Sequence, residues 1–199
     1  MRKIDEEYRR NLPHIQPDDG LFAITYRIKG TLPKSILNFY NEEYEKVILR
    51  KDNTYQNLFF DITDSYLDRG ESHNLLVDKN IVDIVINSLK YYDKKYYKLI
   101  AYCIMSNHVH VIIDKQNYEK ASLSAIFGSI KGYSAKLINS ELRKSGHFWS
   151  TEIYDHLIKS ETELEIQIKY VLNNPVNAGL VDNWKQWKFL FVDEEYIDY

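Results

Sequence analysis

One segment constrains this chain more than any other: CIMSNHVHVIID, Cys103 to Asp114. From His108 to Ile113 its side chains follow the period of a β-strand, in which neighbours point to opposite faces and each residue rises about 3.3 Å. His108 and His110 therefore stand on one face, roughly 6–7 Å apart. Val109, Val111 and Ile113 take the other. The valine face is a core face; the histidine face has another purpose. Just upstream, YYKLIAYCIM is a second apolar run, and the polar break Ser106-Asn107 between the two predicts an antiparallel hairpin.

The remaining elements follow from spacing. Leu21–Lys29, LFAITYRIK, is rich in β-branched and aromatic residues and predicts a strand. A helix is expected over 32–52, with Ile36, Phe39, Tyr40, Tyr44, Val47 and Ile48 on one stripe. A second covers 77–94, with Ile81, Ile84, Val85, Ser88 and Leu89 facing inward. A third runs from about Ser122 to Arg143, interrupted only by Gly132. HFWSTEIYDHLIK reads as a strand or extended pair. In the last helix, Ser160 and Glu163 form a capping box, and Pro175 is expected to end it near Asn173 or Asn174. The sum is an α+β fold: an antiparallel sheet with helices packed on one face, the other face left for a partner. A single domain over 1–199 is expected, with a polar elaboration around 52–76 and an acidic C-terminal tail, VDEEYIDY.

Composition narrows the function classes. No apolar run reaches the roughly 18 residues of a membrane span, so no membrane partner is expected. One cysteine, Cys103, excludes an internal disulfide and a cysteine-rich zinc site. The opening MRKIDEEYRR lacks the apolar core of a signal peptide, and a reducing cytoplasm is the expected setting. The net charge of −3 argues against a nucleic-acid partner, but its distribution argues for one. Residues 86–147 hold ten Lys/Arg against four acids, a local charge of +6 compatible with a basic face around the histidine strand.

Two imidazoles on one strand are half of a metal site, because neutral histidine is a common ligand for divalent ions. A further ligand must come from elsewhere. The last helix offers Tyr170 and Asn174, four residues apart and so able to share a face. Tyrosine is a legitimate covalent nucleophile. Spacing alone gives Tyr170 little claim among 17 tyrosines. A zinc hydrolase built on His108, His110 and a third histidine such as His156 is the rival reading, and explains neither Tyr170 nor the Asn-Pro turn.

Resemblance adds weight. MSNHVHVII followed by YVLNNPVNAGLV, with GSIKGYSAKLIN, GHFW and YDHLIK between them in order, resembles the REP-associated tyrosine transposase family. That family lies within the HUH (histidine–hydrophobic–histidine) single-tyrosine, IS200-like superfamily. The likeness covers roughly 99–181. It implies the ferredoxin/RRM-like HUH transposase fold, with His108 and His110 as the metal pair, Tyr170 as nucleophile and Asn174 as third ligand. It further implies a divalent cofactor, Mg²⁺ or Mn²⁺. The reaction implied is cleavage and rejoining of single-stranded DNA near palindromic hairpins through a 5′-phosphotyrosine link. Partners would be single-stranded DNA hairpins, acted on by a monomer or homodimer. Ser106 stands where the family usually has proline, which bears on loop rigidity more than on chemistry. Lys131, Lys136, Arg143 and Lys144 become candidates for phosphate contacts, and Trp149 and Tyr154 for base stacking. Tyr133, in the basic IKGYSAK, is read as DNA-facing or packing. The alternative is a domesticated DNA-hairpin-binding protein without transposition activity.

Overall fold

The computed structural model describes residues 7–9, 13–15, 17, 19–33, 35–36, 65–67, 74–116 and 118–197. A short antiparallel pair, β1 (Glu7–Arg9) with β2 (Pro13–Ile15), precedes the main sheet. That sheet contains β3 (Leu21–Arg27), β4 (Lys98–Ile104), β5 (His108–Asp114), β6 (Tyr154–Ile158) and β7 (Leu190–Val192) in the order β6-β3-β5-β4-β7. Every neighbouring pair is antiparallel. The fold is α+β, as expected. The helix expected over 32–52 falls outside the described residues apart from helical 35–36, and the elaboration at 52–76 does so apart from helical 65–67 and the turn that begins at Asn74.

Period-two alternation divides the sheet. Phe22, Ile24 and Tyr26 of β3, with Ile28 just beyond it, join Val109, Val111 and Ile113 of β5 in one core. That core is closed by α1 (Lys79–Lys90) through Ile81, Val82, Val85 and Leu89, and by α2 (Leu123–Glu141) through Ile126, Phe127, Ile130 and Ile138. Each helix starts on a side-chain cap: Asp78 accepts from the Asn80 and Ile81 amides, and Ser122 from Ala125. Gly132 is carried within α2 without a break.

The two helices cover one face as the sequence predicts, and the last helix adds a layer to the other. α3 (Glu161–Asn177) buries Leu164, Ile168, Val171 and Leu172 against Ala23, Ile100, Ala101, Cys103, Met105 and Ile112. The alanines leave room for the helix to come close. Ser160 caps it as expected, accepting from the Glu163 amide at 3.1 Å. Its end differs from expectation: the helix runs through Pro175 to Asn177. The closing hydrogen bonds, from Ala178 to Asn174, Gly179 to Val176 and Leu180 to Pro175, use carbonyls of the last turn and need no N–H from proline. Gly179, at φ 69°, then turns the chain in the left-handed conformation of a helix terminus. Asn174 is thereby held inside the helix.

The acidic C-terminal segment is anchored to the sheet. Leu190–Val192 pairs with β4, and Lys98 binds the carboxylates of Asp193 and Glu195. Trp187 donates its indole N–H to the Ile104 carbonyl at 3.0 Å.

Two buried tyrosines test the packing account. Tyr26 is fully buried, edge-on to Trp149 and Phe127, and its hydroxyl has no hydrogen-bond partner. The Tyr97 hydroxyl donates to the Leu89 carbonyl at 2.7 Å. Tyr26→Phe should therefore raise unfolding stability by about 1 kcal/mol, because it removes a desolvated, unpaired group. Tyr97→Phe should lower it by about 1 kcal/mol. Urea unfolding of both variants reads the difference in sign.

Candidate functional site: a histidine pair beneath a helix-borne tyrosine

β5 places His108 and His110 on the α3 side of the sheet, each about 1% exposed. Their rings are 4.7 Å apart and nearly perpendicular, with the two Nε2 atoms 2.9 Å from one another. Each Nδ1 is held from behind. His108 Nδ1 lies 2.7 Å from Asn107 Oδ1, and His110 Nδ1 lies 2.8 Å from Thr25 Oγ1. The two inward nitrogens therefore converge by construction.

The hydrogen bonds also fix the protons. Asn107 uses its amide N–H₂ on the Leu67 carbonyl at 2.9 Å, so its Oδ1 accepts from His108 Nδ1–H. His108 Nε2 is then a lone pair, His110 Nε2 donates to it, and His110 Nδ1 accepts the Thr25 hydroxyl proton. Burial, with His110 as a second cause, pushes the His108 imidazolium well below its ordinary value, and burial pushes His110 down to about 3. Both rings are neutral at pH 7, the state in which imidazole is a ligand.

Tyr170 reaches this pair from above. Its ring meets the His110 ring edge-on at a centroid distance of 5.8 Å, and it is half-buried. One helical turn further, Asn174 is about 1% exposed, and its Oδ1 has no hydrogen-bond partner. A buried amide oxygen without a donor is costly and calls for an explanation. Two neutral imidazole nitrogens and an orphaned amide oxygen fit a divalent ion such as Mg²⁺ or Mn²⁺, both oxygen-seeking, with the imidazoles tilting the choice towards Mn²⁺. A divalent ion held by both rings would require an Nε2 lone pair from each, with the His110 proton then carried on Nδ1. The Thr25 hydroxyl can accept as readily as it donates, so this change loses no hydrogen bond.

Other expected residues are distributed differently. Lys136, Arg143 and Lys144 are exposed, on or just beyond α2, the helix on the opposite face of the sheet. Tyr133 is also exposed on α2. Lys131 is a correction to the expected phosphate contact: it lies on the inward stripe of α2, buried, with its ammonium on the Thr151 and Glu152 carbonyls. Trp149 is a correction too. It is buried against Tyr26 and Phe148, with its indole N–H on Ser134 Oγ at 2.9 Å, so its ring faces are packing surface and not a base platform. Tyr154 is buried on the histidine face, across Thr25 from His110 in the strand register. His156 Nε2 is bound to Glu163 at 2.7 Å, which ties β6 to the start of α3. No group of three His, Cys, Asp or Glu side chains suited to a metal occurs among the described residues.

Thr25, Arg27 and Asn107 were not singled out from the sequence. The first two carried a signal, since in LFAITYRIK they alternate with Phe22, Ile24, Tyr26 and Ile28 and must face away from the core.

Comparison with known proteins identifies the family and the fold. The family model described as "Transposase IS200 like" matches residues 73–174, just over half of the chain. The chain belongs to the IS200-like transposase family. It is 26% identical over 102 residues to a protein of Haemophilus influenzae named as a REP-associated tyrosine transposase. That match covers 47% of this chain and 57% of the relative, so the chain spans little more than half of the relative's length. A solved REP-associated tyrosine transposase, in a structure described as bound to a REP hairpin, superposes with a TM-score of 0.57 at 16% identity. The superposition covers 94% of this chain and 82% of the other and extends the likeness in fold beyond the family match. Among the described residues no helix is long and apolar enough to cross a membrane.

Thr25→Val should lower Mn²⁺ affinity about 10- to 100-fold, since the His110 proton then has no acceptor on Nδ1. In the wild type, Mn²⁺ affinity should stay flat between pH 8 and 6. Protons begin to compete only as the pH falls towards the depressed histidine values, whereas exposed histidines with an ordinary value near 6.5 would lose affinity across that range. Isothermal titration with Mn²⁺ checks both.

Proposed function

We propose that the chain cleaves and rejoins single-stranded DNA beside palindromic hairpins, using Tyr170 as nucleophile and a divalent ion, Mg²⁺ or Mn²⁺, held by His108, His110 and Asn174. The observation that carries this reading is the placement of the Tyr170 ring on His110, one helical turn from the orphaned Asn174 oxygen. Membership of the IS200-like transposase family supports it, as does the likeness to a transposase described with a bound REP hairpin.

The chain's own groups account for most of the chemistry. A bound divalent ion would supply Lewis acidity at a phosphate oxygen. Asn107 and Thr25 set the direction of the two imidazoles, and burial keeps both rings unprotonated. Tyr170, half-buried on α3, keeps part of its side chain accessible to an incoming strand. Its oxygen forms a bond to phosphorus and gives up its proton, while the P–O3′ bond breaks and the departing oxygen becomes a 3′-hydroxyl. The 5′ end stays joined to the tyrosine as a phosphodiester. Because a bond of the same kind replaces the one broken, the reverse step rejoins DNA without a nucleotide cofactor.

A covalent-capture experiment tests this reading. Labelled single-stranded hairpin DNA with Mn²⁺ should give a protein–DNA band on a denaturing gel, and Tyr170→Phe and His108→Ala should each abolish it. A band that survives Tyr170→Phe would disprove the nucleophile assignment. Tight hairpin binding with no band on any hairpin would instead favour a domesticated binding protein.

Lys136, Arg143 and Lys144 are proposed to contact phosphates of the hairpin. Hairpin affinity should then fall steeply with salt, and replacing all three by glutamine should flatten the log–log slope by about 3. Fluorescence anisotropy between low and moderate salt measures it, and an unchanged slope would remove these residues from the interface.

A further inference from the structure

Arg27 is the one arginine of β3, and in the strand register it sits directly opposite His108. Residues so paired have their side chains on the same face, with Cβ atoms about 5 Å apart. Arg27 therefore shares the face of the histidine pair, and it is only 3% exposed. Among the described residues, its surroundings do not account for its charge. The guanidinium makes one long hydrogen bond, from Nη1 to Thr31 Oγ1 at 3.4 Å, and its buried Nε–H has no partner. No carboxylate is paired with it among the described residues. Arginine does not neutralise itself by losing a proton, so a buried guanidinium of this kind is held at a cost until an anion meets it.

The chemistry of the missing anion is limited by the donor. A guanidinium offers parallel N–H groups in a planar fork that matches two oxygens on one phosphorus or carbon. Beside a site suited to a divalent ion and a tyrosine nucleophile, the matching anion is a phosphodiester. We propose that Arg27 is a catalytic residue that binds a non-bridging oxygen of the phosphodiester attacked by Tyr170, through the Nε edge of its guanidinium. This rests on the strand-transfer reading above. Arg27 takes no part in proton transfer: the bonds made and broken are those already given, and Arg27 holds the charge that gathers on the equatorial oxygens as phosphorus becomes five-coordinate.

The test pairs a protein change with a substrate change. The linkage cleaved by the wild type is first mapped on a labelled hairpin in Mn²⁺. A second hairpin then carries one methylphosphonate there, so that a neutral methyl replaces the charged oxygen. Arg27→Gln should slow covalent complex formation about 100-fold on the natural phosphodiester, and by less than about 3-fold on the methylphosphonate. Mn²⁺ affinity should not change. Equal slowing on both hairpins would show a structural role and overturn the proposal, as would a wild-type rate on the phosphodiester. If Arg27→Gln does not fold, Arg27→Lys replaces it in the same comparison, judged by the same two criteria.

A separate arm keeps this proposal distinct from the function on which it rests. Inorganic phosphate at tens of millimolar, against chloride of equal ionic strength, should raise the melting temperature of the wild type and leave that of the Arg27 variant unchanged. If no hairpin ever yields a covalent band, the strand-transfer reading fails while this arm still decides whether Arg27 is an anion site. Equal responses of wild type and variant would overturn it.

Discussion

The antiparallel pairing of β3 with β5 is the contact on which the rest of the structure depends. Its register sets Thr25 opposite His110 and Arg27 opposite His108 on one face, and Ile24 opposite Val111 and Phe22 opposite Ile113 on the other. A shift of one residue would turn each histidine into the core and each valine towards the tyrosine helix. The apolar packing against α1 and α2 therefore does more than stabilise the sheet: it selects the single register in which the polar residues of two strands, far apart in sequence, become one site.

The organisation of that site follows from burial. Histidines in water would be partly protonated near neutral pH and free to turn. Here the low-polarity environment keeps both rings neutral, and Asn107 and Thr25 hold their outer nitrogens so that the inner ones converge. Neither support is a ligand candidate, yet each decides how a ligand is presented. The helix above contributes by staying helical. Had α3 ended at Asn173, its amide neighbour would lie in a frayed turn; because the chain continues through Pro175, Asn174 keeps a fixed position relative to Tyr170.

What could be read from the sequence was what is periodic and local. The alternation in His108–Ile113, the cap at Ser160 and most of the inward stripe of α1 each require only neighbouring residues and stand in the structure as expected. The Glu163 carboxylate, however, binds the Lys159 amide and His156 instead of closing the box on Ser160, and Val82 is buried where Ile84 is only partly so. Lys131 and Trp149 lie otherwise than expected because a basic or aromatic residue in a positive stretch suggests a surface, whereas their place on α2 and beside Tyr26 turns them inward. The supports of the histidines were harder still. Thr25 and His110 are 85 positions apart, and no local pattern states that two strands will be neighbours. The arrangement of α3 on the far face likewise depends on the small side chains of Ala23 and Ala101, which look unremarkable in a strand.

The two kinds of site residue differ in what the fold asks of them. Asn107 and His108 are sealed into the sheet and tied to the Leu67 carbonyl, so losing either disturbs the core around them. Tyr170 stands half outside on an already complete helix whose packing is carried by Ile168, Val171 and Leu172. A lineage could therefore lose the proposed reaction by one substitution at Tyr170 and keep the shape almost intact, whereas loss through the histidines would endanger the shape itself. Silent descendants of such a protein should keep their histidines longer than their tyrosine, a difference in evolutionary lifetime set by burial alone.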